Sequence, residues 1–247
     1  MKITILTIFP EMFEGFLNTS IIKKARLKNI VEINVADFRQ YTLDKHNRVD
    51  EYPFGGGQGM VLMCQPLLDC LNDVRSEKSH VILMNPSGRT FDQAKAHQLL
   101  DYEDIVIRSG HFEGYDARIS DYVDDEISIG DYILTGGELG AMVVTDAVTR
   151  LVDGVISADS TKDETFENGL LEYPQYTKPV EYDGKKVPDV LLSGHHENIR
   201  KYRLYESLKK TYLYRRDLLE NREFTDEERK MLEKIKEEIY DKEEDNS

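Results

Sequence analysis

Residues 126–142 read EISIGDYILTGGELGAM, a short β-branched run followed by a glycine-rich turn and then a helical pattern. The same grammar appears twice upstream. Val81 to Met84 leads into Asn85-Pro86-Ser87-Gly88, a turn signal at a strand end, and Asp104 to Arg108 leads into Ser109-Gly110-His111-Phe112-Glu113-Gly114. Working outward, KITILTI (2–8) and VEINVAD (31–37) also read as strands, with the helical stretch 10–27 between them. Strands alternating with helices predict an α/β fold with a mostly parallel sheet, and in such sheets ligands collect at the carboxyl ends of the strands. Three neighbouring strand ends therefore carry backbone-exposing loops with few charged side chains. Taken singly each loop reads as a turn. Together they suit an adenine and ribose held by main-chain groups better than a triphosphate, which calls for lysine or Mg²⁺ ligands.

The remaining punctuation sets the organisation. Gly55, Gly56, Gly57 and Gly59 precede a helix reading MVLMCQPLLDCL; they are either a tight turn or a place for close backbone approach. Neither GxxxxGK[ST] nor a GxGxxG after a strand is present, which argues against ATP and dinucleotide folds. Just upstream, DKHNRVD offers Lys45, His46, Arg48 and Asp50 in a polar loop, either surface decoration or contacts to a nucleic acid. From Asp153 to Lys178 periodicity is lost, and the segment reads as a linker. Beyond it lies a small helical domain, whose last helix opens with the capping box Thr225-Asp226-Glu227-Glu228 and carries the apolar stripe Met231, Leu232, Ile235 and Ile239, which is core packing.

Composition bounds the rest. The 247 residues, 40% hydrophobic, hold one substantial core plus a smaller unit. No apolar run approaches the roughly 20 residues of a membrane span, and the N-terminus has neither a basic start nor a small-residue cleavage site, so the expected location is the cytoplasm without membrane partners. Cys64 and Cys70 lie in an apolar stretch without a histidine cluster and read as free thiols. No metal ligand set is assigned. The net charge of −15 opposes nucleic-acid binding, yet residues 199–217, IRKYRLYESLKKTYLYRRD, form a basic, tyrosine-interleaved patch. Such a patch is either a solvated helix face or a grip on phosphates.

Six stretches carry a likeness that spans nearly the whole chain: FPEMFEGFLNTSI (9–21), RVDEYPFGGGQGMVLMCQPL (48–67), GHFEGYD (110–116), EISIGDYILTGGELGAM, GLLEYPQYTKP (169–179) and VLLSGHHENIRKYR (190–203). In this order they resemble the TrmD family of tRNA (guanine-N1)-methyltransferases, members of the SPOUT superfamily. The resemblance implies a sheet with a deep C-terminal trefoil knot plus a small helical C-terminal domain. It divides the chain into a methyltransferase domain at 1–160, a flexible interdomain linker at 161–176 and a helical tRNA-binding domain at 177–247. It implies S-adenosylmethionine as methyl donor, position 37 of tRNA (the guanosine 3′ of the anticodon) as target, and a homodimer whose active site is shared between subunits. Mg²⁺ as an auxiliary ion is not decided by the sequence.

Carried over residue by residue, the cofactor-binding positions are Asn85, Pro86, Gly110, Glu113, Ser128, Ile129, Gly130, Asp131, Tyr132, Ile133, Leu134, Gly136 and Gly137. Asp50 with Gly56, Gly57 and Gly59 resembles the part that receives the flipped guanine. With tRNA as the partner, Lys45, His46 and Arg48 beside it, and Arg200, Arg203 and Lys209 in the basic patch, are the other expected substrate contacts. N1 of guanine carries a proton, so a general base is required, and a cation must stabilise charge building on O6. The resemblance implies Arg150 as that cation and Glu164 as the base, with Asp163 as the alternative; the family usually has Asp at the Glu164 position. Asn85, Ser87, Phe112 and Gly140 also depart from the family's usual residues. Two rivals remain: a SPOUT enzyme acting elsewhere, on a ribose 2′-OH or on another RNA position, and a non-catalytic RNA-binding relative.

Overall fold

A computed structural model describes residues 1–111, 114–157 and 164–241, and the backbone of 242–244. The chain divides into two compact units, residues 1–158 and 159–247. The first is built on a five-stranded, all-parallel sheet: β1 (Lys2–Thr7), β2 (Glu32–Asp37), β5 (Ser79–Thr90), β6 (Asp104–Arg108) and β7 (Asp125–Ser128), in the order β2-β1-β6-β5-β7. A two-stranded antiparallel hairpin, β3 (Asp50–Glu51) and β4 (Val61–Leu62), stands apart from it. The helices are α1 (Glu14–Leu17), α2 (Ser20–Leu27), α3 (Cys64–Val74), α4 (Gln93–Leu99) and α5 (Glu138–Leu151).

The near-continuous apolar runs of the strands follow from burial on both faces. Ile3, Ile5, Ile82, Ile105, Ile107 and Ile127 point into one core with Ala96 and Leu99 of α4 and Val144 and Val148 of α5. Leu6, Val81 and Val106 point the other way, onto Leu67, Cys70 and Leu71 of α3. Burial pushes the Cys70 thiol up to about 12, and both cysteines are free. No helix among the described residues is long and apolar enough to cross a membrane.

β7 lies at the sheet edge beyond β5, but α5, which follows it, packs on α4 and α2 across the sheet. The intervening chain returns over the strand ends: Gly136 forms a bridge with His111, and the Gly137 N–H donates to the Gly110 carbonyl at 2.6 Å. The mixed α/β layering and parallel five-stranded sheet agree with the SPOUT fold.

Two local expectations differ. Asn85-Pro86-Ser87-Gly88 does not end its strand; β5 runs on to Thr90 through a register shift between Met84 and Arg89, after which Arg89 and Thr90 again pair with β7. Gly88 permits this, because a Cβ there would lie 2.5 Å from the Glu126 backbone. The glycine run at 55–59 does not open a helix directly. It forms the tip of the β3–β4 hairpin, and α3 begins only at Cys64.

The second unit contains a hairpin, β8 (Glu181–Tyr182) and β9 (Lys185–Lys186), and the helices α6 (Asp189–Leu192), α7 (His196–Tyr214), α8 (Asp217–Glu220) and α9 (Asp226–Glu244). Leu208 of α7 and Ile235 of α9 are fully buried against Leu170, with Met231 and Ile239 packed around them. Burying each such side chain contributes about 1.5–3 kcal/mol. The capping box forms: Glu228 accepts from the Thr225 N–H at 2.8 Å, and Thr225 Oγ1 accepts from the Glu228 N–H at 3.2 Å. The stretch expected as a flexible linker is, from Glu164 onward, seated on this unit. The Leu171 N–H donates to Thr211, Lys210 to the Glu172 carbonyl, and Arg222 to the Asn168 carbonyl.

Candidate functional site

A parallel sheet brings its carboxyl ends to one edge, and there the irregular Asn85–Ser87 stretch of β5 and the loops after β6 and β7 enclose a cavity of about 750 Å³. Of the cofactor positions, Asn85, Pro86, Gly110, Ser128, Ile129, Gly130, Tyr132, Ile133, Leu134, Gly136 and Gly137 line it. Asp131 is exposed and does not line it, because the turn Gly130–Tyr132 directs position 131 outward. Glu113 lies outside the described residues. Among the described lining residues the one carboxylate is Asp116, already gripped by Arg118 at 2.9 and 2.6 Å, which holds its carboxyl well below the usual range.

Glycines make the enclosure. A Cβ at Gly137 would lie 2.8 Å from the backbone nitrogen of Gly110, and one at Gly110 would strike the Tyr115 ring at 2.3 Å. Burial pushes the Tyr115 phenol well above its ordinary range, and its hydroxyl donates to the Arg108 carbonyl at 3.2 Å. A Cβ at Gly136 would sit 2.1 Å from His111 Nε2 and 2.4 Å from Glu138 Oε2.

Those two side chains, with Thr7, were not singled out from sequence. Glu138, at the first position of α5, is 1% exposed, accepts from the Thr7 hydroxyl at 2.8 Å and stands 2.9 Å from His111 Nε2. His111 lines the cavity and meets the Phe9 ring edge-on at 4.7 Å. A carboxylate suits the positive end of a helix, and the signal was present: an acid directly after Gly-Gly at a helix start.

The substrate positions divide. Leu62 of β4 donates its N–H to the Gly114 carbonyl and accepts from the Asp116 N–H, both at 3.0 Å, so the base of the hairpin is tied to cavity-lining backbone. At the tip, Gly56, Gly57 and Gly59 have φ of +80°, +138° and +83°. At Gly56 nothing lies within 4 Å of where a Cβ would be, so conformation and not crowding demands glycine there. Tyr52 and Phe54 on the same loop are exposed, and Asp50 is half-buried in β3. Lys45 and His46 are exposed. Arg48 is held by Asp44 at 3.1 Å and Glu51 at 3.6 Å, and the Arg48 guanidinium draws the Asp44 carboxyl down to about 2. It organises the loop.

In the helical unit, Arg200 is clamped by Glu197 and Glu227, and Lys209 by Glu238 at 3.1 Å. Arg203 has no carboxylate partner among the described residues and lies over the Tyr173 ring at 4.8 Å. Of the catalytic candidates, Arg150 is half-buried in the last turn of α5 and Glu164 is half-buried in the second unit. Asp163 lies outside the described residues. Among the described residues no group of three or more His, Cys, Asp or Glu side chains is placed to hold a metal.

Comparison with known proteins adds an independent line. The profile of the family described as tRNA (Guanine-1)-methyltransferase TrmD matches residues 1–221. A Streptococcus gordonii protein named tRNA (guanine-N(1)-)-methyltransferase is 55% identical over 240 residues, covering 97% of this chain and 98% of that protein. Proteins of the same name from Streptococcus sanguinis and Halalkalibacterium halodurans are 56% and 53% identical, each covering 96% of this chain and 98% of their own length.

Proposed function

The chain belongs to the tRNA (guanine-1)-methyltransferase family of the TrmD type, and on that premise we propose that it transfers a methyl group from S-adenosylmethionine to N1 of the guanosine at position 37 of tRNA, in the cytoplasm. The observation that carries this reading is the cavity beside β5 and at the ends of β6 and β7, lined by six glycines and mostly uncharged side chains, with its one described carboxylate held by Arg118. Such a lining fits an adenosine and, among the described residues, leaves no unpaired carboxylate to repel a methionyl carboxylate. Asn85, Pro86, Gly110, Glu113, Ser128 to Gly130, Tyr132 to Leu134, Gly136 and Gly137 would hold the cofactor. When bound, S-adenosylmethionine supplies an electrophilic methyl group on sulfur.

The chain's own residues then have three tasks. Glu164, or Asp163 beside it, takes the proton from guanine N1, without which that nitrogen is a poor nucleophile. Arg150 stabilises the negative charge that builds on O6 as the proton leaves. The glycine hairpin, with Asp50 at its base, receives the guanine once it has left its stack, and the basic patch holds the tRNA backbone.

A homodimer with a shared site belongs to the same proposal. The cavity is at the N-terminal end of α5 and Arg150 is in its last turn, about 18 Å away at 1.5 Å per residue. That separation of the cation from the cofactor cavity within one protomer supports a site completed by the second. Leu139 and Val143, one turn apart on α5 and 50% and 46% exposed, are apolar surface suited to such a partner.

The test is methylation of a tRNA transcript bearing G37 by the purified chain with S-adenosylmethionine across a Mg²⁺ series, read by mass spectrometry of digested nucleosides. N1-methylguanosine is expected, and it should vanish when G37 is replaced by adenosine. A 2′-O-methylated product would establish the ribose-acting rival, and no product at any Mg²⁺ concentration the non-catalytic one.

A further inference from the structure

The helical unit holds a second cavity, of about 390 Å³, which methyl transfer leaves unused. The segment 173–180 supplies one wall and α6 with the start of α7 another, so residues far apart in sequence close on one space. Tyr173, Pro174, Tyr176 and Val180 face it together with Ile199 and Arg203. Tyr176 and Val180 are 47% and 52% exposed and leave apolar surface at this space.

The electrostatics select the occupant. Arg200, Lys201, Lys209 and Arg215 each meet a carboxylate at 2.7–3.5 Å. Arg203 and Lys178, both lining the cavity, have none among the described residues. Residues 173–216 contain ten Lys and Arg against five Asp and Glu, in a chain whose net charge is −15. Every cation–π pair among the described residues also lies in this unit. An apolar peptide would leave the two unneutralised cations without purpose, and an acidic peptide would leave the aromatic walls so. A flat ring carrying a phosphate uses both, since bases stack on tyrosine and on arginine planes while lysine and arginine meet the backbone.

We propose that this cavity receives a second unpaired nucleobase of the tRNA, distinct from the methylated guanine, stacked beside the Tyr173–Arg203 pair with its phosphate at Lys178. The proposal rests on the tRNA reading above. It gives the helical unit a base-sized anchor and not only a charged surface.

Thr177 is exposed at the rim, so Thr177→Trp obstructs the cavity from outside, and Tyr176→Ala removes a stacking wall should the indole disturb folding. Either variant is expected to raise KM for tRNA about tenfold, within the range of one lost base stack, with kcat and S-adenosylhomocysteine affinity unchanged. Transcripts with a single abasic nucleotide at each unpaired position identify the base: one of them should raise KM similarly for the unaltered chain, and on that transcript the variants should add nothing. Unchanged KM in both variants overturns the proposal. So do penalties that add on every transcript, or a change in sedimentation, which would place a second copy of the chain there. The same series read as tRNA binding by fluorescence anisotropy keeps this failure apart from that of the functional reading, which would appear as absent methylation by the unaltered chain.

Discussion

His111 Nε2 stands 2.9 Å from Oε2 of Glu138, a carboxylate only 1% exposed, and this pair joins the loop after β6 to the first turn of α5. The Thr7 hydroxyl, bonded to the other carboxylate oxygen, adds the end of β1. Removing Glu138 takes the acceptor from the buried Thr7 hydroxyl, and a buried polar group left unsatisfied costs about 1–3 kcal/mol. Glu138→Ala should therefore destabilise the first unit by about 1–3 kcal/mol and weaken S-adenosylhomocysteine binding. Denaturant titration and calorimetry check this; wild-type midpoint and affinity would reduce the pair to an incidental contact.

Glycines around the cavity should differ in tolerance. At Gly137 the atom nearest an added Cβ is the Gly110 backbone nitrogen at 2.8 Å, which cannot move without the whole loop, whereas at Gly140 it is the flexible Met84 Cε at 2.8 Å. Overpacking a rigid site costs about 1–3 kcal/mol. Gly137→Ala should lower cofactor affinity about tenfold and Gly140→Ala about twofold or less, as read by titration calorimetry. Equal losses would contradict this account of the crossing.

Glu164→Gln keeps the shape of the side chain and removes the base. General-base catalysis contributes about 10²–10⁴ in rate, so single-turnover methylation should fall by that factor while cofactor binding survives. A fully active variant would transfer the role to Asp163.

The basic patch should be uneven in effect. Among the described residues Arg203 lacks a carboxylate partner and Arg200 is clamped by two. Arg203→Ala should weaken tRNA binding and reduce the slope of log affinity against log salt by about one, while Arg200→Ala should leave that slope nearly unchanged. Filter binding across a salt series decides; identical slopes would mean the ion pairs rearrange on binding.

Acid should loosen the last helix through Glu228. Burial opposes its ionisation, but Arg222 at 2.7 Å and the Thr225 N–H at 2.8 Å outweigh that and hold its carboxyl below the usual value. A depressed carboxyl contributes stability that is present above its unfolded pKa of about 4.3 and lost as pH falls through the lower folded value. Helicity followed by circular dichroism should decline over that acidic range, and Glu228→Gln should be less stable at neutral pH and flatter below about pH 4. An unaltered acid transition would remove Glu228 from the cause.

Sequence reading carried far where the physics is local. The five sheet strands, the apolar stripe of α9 and the Thr225–Glu228 capping box follow from periodicity and from bonds spanning three residues. Glycine after β6 and after β7 likewise points to the cavity that those turns line. Where the neighbour that decides a conformation is distant in the chain, the signal faded. Asn85 to Gly88 carries turn chemistry, and only the backbone of β7, some forty residues on, turns it into a bulged strand.

What the sequence by itself determined is the alternation of strand and helix, the placing of flexible backbone at strand ends and the concentration of cations at 199–217. Tertiary structure alone decided which groups meet: His111 with Glu138, Leu62 with the backbone of Gly114 and Asp116, and Arg203 with Tyr173 while Arg200 is neutralised. The physical reason is range. Propensity and periodicity act over a few residues along the chain, whereas pairing, burial and charge compensation act through space between segments that only the folded sheet and helices bring together.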